Sequence, residues 1–169
     1  MNTNTDLPSK ASMAQGLSTL MKKLILFALI VILAACSAGA PTEFEKNLQT
    51  WQDSGITHYR FSLNIGCFCA FRSRMPIAVE VQNGETISMT YPDGTLVAET
   101  DPNYEIFSKH ATIDRIFSEL EAGQSGAAEE VTVTYDSAHG FPIDIYFDYI
   151  KAAADDELSL TISDFEVLK

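Results

Sequence analysis

Ile77-Ala78-Val79-Glu80-Val81-Gln82-Asn83-Gly84-Glu85-Thr86-Ile87-Ser88-Met89-Thr90-Tyr91 is the stretch whose reading decides the fold. Ile77, Val79 and Val81 alternate with shorter or polar residues, the two-residue period of a strand with one buried face. Asn83-Gly84 then supplies two residues that tolerate positive φ, as a tight hairpin turn requires. Ile87, Met89 and Tyr91 resume the period. Two antiparallel strands follow, each with one apolar side that needs a cover.

Working outward, Tyr59, Phe61, Leu63 and Ile65 alternate in the same way, as do Val131/Val133/Tyr135, Ile143/Ile145/Phe147/Tyr149 and Leu158/Leu160/Ile162, running on to Phe165 and Val167. Two segments carry a helical period instead. Thr42-Glu43-Phe44-Glu45 matches a capping box, with Phe44, Leu48 and Trp51 on one face and Gly55 as a stop. Thr112 is an N-cap for Ile113, Ile116, Phe117 and Leu120, closed by Gly123. Residues 92–110 show no sustained period and read as turns, with a short strand near Leu96-Val97. The fold class is α+β: an antiparallel sheet with two amphipathic helices on one face. Trp51 reads as core. Because Met75-Pro76-Ile77 echoes Phe141-Pro142-Ile143, a duplicated α-β-β-β unit is also expected.

The N-terminus carries an address. Lys22-Lys23 precedes an uncharged apolar run over residues 24–35 that ends in Ala34-Ala35, the layout of a signal peptide over residues 1–35. As a helix the run spans about 18 Å against roughly 30 Å of hydrocarbon, too short to cross. Residues 1–20 are polar, and a start at Met21 would put Lys22-Lys23 at the head. Leu33-Ala34-Ala35-Cys36 resembles the lipobox of bacterial lipoproteins, which implies a diacylglyceryl group on the Cys36 thiol and a membrane anchor. Residues 36–41 are then a tether and residues 42–169 one globular domain. Ser37, not Asp, after the cysteine implies sorting to the outer membrane, facing the periplasm, in a Gram-negative source.

Charge narrows the partners. The chain carries −12, and Lys10, Lys22 and Lys23 against Asp6 lie before Cys36, which leaves −14 for the remainder. So acidic a domain repels phosphate backbones, and nucleic acid is not an expected partner. No Gly-x-Ser-x-Gly or His-Glu-x-x-His occurs, and His58, His110 and His139 are scattered, so no catalytic residue and no cofactor are assigned. Asp136, Asp144, Asp148, Asp155, Asp156 and Glu157 are hard-cation ligand types without EF-hand spacing, and read as solvated acids.

With Cys36 consumed by lipid, an exported domain keeps Cys67 and Cys69, for which a disulfide is the default in an oxidising compartment. In extended chain their Cα atoms would stand nearly 7 Å apart, at the limit of disulfide geometry, so the chain must bend at Phe68, with Gly66 giving room. A soft-metal site of both thiolates with Met75 or a histidine, and two free thiols, are the alternatives.

Cys67-Phe68-Cys69, Tyr135-Asp136-Ser137-Ala138-His139-Gly140-Phe141-Pro142, Asp155-Asp156-Glu157 and Ser163-Asp164-Phe165 together resemble domain of unknown function 6174, a family of small bacterial lipoproteins or secreted domains. The resemblance covers most of residues 43–168. Ser137 departs from the proline frequent after Tyr-Asp in that family, which touches turn rigidity alone. It implies a fold and brings no activity. Three classes remain: an interaction or envelope-scaffold module binding an unknown envelope protein, a metal-handling or redox module using Cys67 and Cys69, and an enzyme. The first fits the anchor, the small size and the missing catalytic motif.

Overall fold

The Asn83-Gly84 turn has φ of 52° and 80° at its two residues and folds β2 (Ile77–Gln82) back onto β3 (Glu85–Thr90). These strands belong to a computed structural model that describes residues 40–153 and 155–169. The signal-peptide reading of residues 1–35 and the Cys36 anchor lie outside the described residues. The other strands are β1 (His58–Gly66), β4 (Glu130–Tyr135), β5 (Pro142–Asp148) and β6 (Leu158–Val167). All six form one antiparallel sheet in the order β3-β2-β1-β6-β5-β4.

Two departures from strict alternation have local causes. Ile87, expected on the buried face of β3, is exposed, because the register shifts between Glu80↔Ser88 and Val81↔Thr86 and leaves Ile87 as the extra residue of a bulge. Thr86 takes the inward position and donates to the carbonyl of Ala111 at 3.0 Å. In β6 the inward residues Ile162 and Phe165 are three apart. Asp164, at φ 51°, absorbs the odd residue where the β1–β6 register shifts.

The helices pack on one face of the sheet. In α1 (Glu43–Asp53) the Thr42 hydroxyl accepts from the Glu45 N–H at 3.1 Å, and the Glu45 carboxylate returns to the Thr42 N–H at 2.6 Å. Trp51 is buried edge-on to Tyr59, with ring centroids 5.4 Å apart, and its indole N–H donates to Asp114 at 3.1 Å. A short helix, α2 (Tyr104–Ser108), lies in the segment expected to be turns; one turn cannot display a period, and Phe107 is its single buried residue. The strand expected near Leu96-Val97 is reduced to a bridge between Thr90 and Leu96. In α3 (Ile113–Ala122) the first free N–H, that of Ile113, donates to the buried Tyr59 hydroxyl at 3.1 Å, and burial pushes that phenol up to about 12. Among the described residues no helix is long and apolar enough to cross a membrane.

The strand order does not carry the duplicated α-β-β-β unit. Neighbours alternate in direction, so β1, β2 and β3 run opposite to β4, β5 and β6, which lie three places along. A rotation that reverses direction while keeping the order of strands turns the sheet over. The second unit's apolar faces would then point away from the helices, whereas Leu63↔Ile162 and Ile145↔Leu160 pair within one core.

Candidate functional site

At the end of β1 the chain leaves the sheet as a knuckle. Gly66 pairs with Ser159 on β6, and a Cβ at residue 66 would run into the Ser159 hydroxyl oxygen. Gly66 thus makes room for the Ser159 hydroxyl, which a side chain at residue 66 would have to turn aside, while the backbone of β6 lies at ordinary contact distance. Cys67 and Cys69 are joined by a disulfide, their Cα atoms 5.2 Å apart, well inside the usual range and far short of the extended separation. Phe68 sits at the apex, 83% exposed.

What holds the knuckle lies just beyond it. Phe71 is buried edge-on to Phe107 at 5.0 Å, and a single tight turn follows at Arg72–Arg74. The Arg74 guanidinium lies 3.3 Å from the centroid of the Tyr91 ring, whose hydroxyl donates to Asp101 at 3.0 Å. Backbone N–H donation from Asn103, the largest cause, holds the Asp101 carboxyl below its ordinary value. Met75, a candidate soft ligand, is partly buried against the core ahead of a cis bond to Pro76. A disulfide offers no thiolate to a metal, and among the described residues no three His, Cys, Asp or Glu side chains are grouped to hold an ion.

Beside the knuckle lies a hollow of 270 Å³ lined by Cys67, Phe68, Arg72, Tyr146, Glu157 and Ser159 among others. Asp155 and Glu157 line it from the β5–β6 connection, together with Arg72. Partial burial, then the charges of Asp156 and Glu157, raise the Asp148 carboxyl, and the Tyr146 phenol is raised likewise, with Glu157 the first of the charges. Both carboxylate oxygens of Asp156 are shielded without a hydrogen-bond partner. Asp144 is exposed on the open sheet face, and Asp136 serves its own turn, accepting from the His139 N–H at 2.7 Å.

The histidines lie in three separate places, each beside a carboxylate: His58 and Glu80 at 2.8 Å, His139 and Asp136 at 3.1 Å, His110 and Glu119 at 3.1 Å. His110 is 4% exposed, and although its Nδ1 is close enough to Glu119 for an ion pair, the direction is poor and Nδ1 has no aligned hydrogen bond. The two side chains are therefore in close contact without an aligned hydrogen bond. The other Glu119 oxygen accepts from the Tyr149 hydroxyl at 3.2 Å. Contact with His110 is the largest influence on Glu119 and holds its carboxyl down, whereas burial, then Glu119, pushes the Tyr149 phenol up to about 12. This group escaped the sequence reading. Its only trace there is a second stripe on α3, Arg115, Ser118, Glu119 and Ala122, at helical spacing beside the core face.

Residues 43–167 match the model of a family of unknown function, DUF6174. The chain belongs to that family. The matched stretch opens on the first residue of α1 and closes on the last of β6, so the DUF6174 domain is the whole sheet with its helices. No curated protein and no solved structure matches the chain.

Proposed function

We propose that this DUF6174 protein is an envelope lipoprotein, held by lipid on Cys36, whose domain is an interaction module docking a partner protein through the Phe68 knuckle. The observation that carries the reading is Phe68 itself: a large apolar ring 83% exposed at the apex of a loop closed by a disulfide and anchored by buried Phe71. An exposed aromatic on a preordered loop enters a partner's pocket with little further loss of conformational freedom, and aromatic anchors of this kind dominate interface energies. Arg72 and the Asp155/Glu157 pair give the rim both signs of charge, which sets orientation.

The test is in-envelope photo-crosslinking of the full chain with the probe at Ala70, comparing Phe68 with Phe68→Ala. A discrete cross-linked species that Phe68→Ala removes supports the reading. The same species at undiminished yield with Phe68→Ala, or none in either protein, refutes it. Export and anchoring are tested separately: Cys36→Ser is expected to leave the washed membrane fraction, and its retention there would overturn the anchor.

A further inference from the structure

Along the flank of α3 lies a second hollow, of 440 Å³, within the range of small-molecule sites. Its walls are the second stripe of α3, with Arg115, Ser118 and Glu119, facing Lys109 and Tyr149. Its floor is made of Ala122, Gly123 and Ala127, whose side chains are too short to fill it. Gly123 is pressed against the sheet, where an added Cβ would stand 2.6 Å from the Phe147 ring. The space is thus left open by small residues on a rigid support.

Charge defines what it would take. Two of the domain's few cations, Lys109 and Arg115, meet here in a molecule that is otherwise strongly acidic. Arg115 donates from one terminal nitrogen to the Ser108 carbonyl at 2.8 Å, and its other lies 3.7 Å from the solvent-exposed Glu85 carboxylate; these contacts fix the guanidinium while leaving it further N–H donors. The acid that lines the hollow, Glu119, is already engaged: His110 stands against one oxygen and the Tyr149 hydroxyl donates to the other. Cationic rim and apolar floor together call for an anionic head on a short apolar body. We propose that this hollow binds a small aliphatic carboxylate, its head at Lys109 and Arg115 and its chain over Ala122 and Ala127.

Binding of hexanoate to the full chain, followed by protein NMR shifts under titration, tests this. Saturable shifts of residues around the hollow are expected, with affinity at least tenfold weaker in Lys109→Glu, which reverses a rim charge, and in Ala122→Phe, which fills the space from an exposed helix position. Neither hexylamine nor inorganic phosphate at equal concentration should displace hexanoate. No saturable shift, or binding unchanged in folded Ala122→Phe, overturns the site. Displacement by phosphate overturns the aliphatic carboxylate as its ligand, and displacement by hexylamine overturns the sign of the head.

Discussion

Gly140 closes the Tyr135–Pro142 turn at φ 78°, and its Cα faces the backbone of α1: an added Cβ would stand 2.5 Å from the Asn47 carbonyl oxygen and 2.8 Å from the Thr50 Cβ. Gly140→Ala therefore meets two separate penalties. Left-handed backbone costs an L-residue roughly 1–2 kcal/mol. Forcing a methyl against a helix backbone that cannot swing aside adds about 1–3 kcal/mol, as overpacking does elsewhere. The expected loss is about 2–5 kcal/mol by urea denaturation at unchanged m. Gly94, at φ 83° with nothing within 4 Å of where an added Cβ would stand, is the matched control, and Gly94→Ala should lose only the backbone part, about 1–2 kcal/mol. If the two variants agree within about 0.5 kcal/mol, the close docking of this turn beneath α1 is refuted, since only that contact separates them.

Three further outcomes follow from the packing. Trp51→Ala should destabilise by about 3–5 kcal/mol in the same assay, the ring being 5% exposed; a loss under about 1 kcal/mol would place it outside the core. Cys67→Ser/Cys69→Ser should lose only about 1.6 kcal/mol, the loop entropy of so short a ring, with far-UV circular dichroism unchanged; unfolding of the double variant would show that the disulfide organises more than its own knuckle. Tyr59, Tyr135 and Tyr149 titrate near 12 instead of 10.0, all chiefly through burial. Their folded values are raised, so the stability they contribute is full below pH 10 and is lost as pH climbs toward 12. Absorbance at 295 nm should show late, unfolding-linked ionisation that Tyr59→Phe diminishes; complete titration of all tyrosines at pH 10 without unfolding would contradict it.

Much of the architecture was legible because it is written in local periods. The inward residues of β1 and β2 and the Thr42–Glu45 capping box each follow from neighbours within a few positions, where backbone geometry alone decides which side a residue faces. The bulge at Ile87 was not legible, since it depends on how Glu80 and Val81 meet the next strand. Asp164 left a visible trace, the three-residue step from Ile162 to Phe165, but the pairing with β1 that needs it lies about a hundred residues upstream. The cysteine pair was legible as chemistry, and its setting beside Arg72, Tyr146 and Glu157 was not.

The sequence by itself determined the α+β class, the capped helices and the hairpin turn, and made a Cys67–Cys69 disulfide the default over a metal site or free thiols, because each reading is set by residue type and spacing along a short stretch of chain. Only the tertiary structure decided that β1 and β6 lie side by side at the centre, that the two halves share one sheet face in place of a repeated unit, and that His110, Glu119 and Tyr149 converge beside a hollow. Those outcomes come from burying six apolar strand faces under the same helices. That requirement couples residues far apart in the chain, and no local period records it.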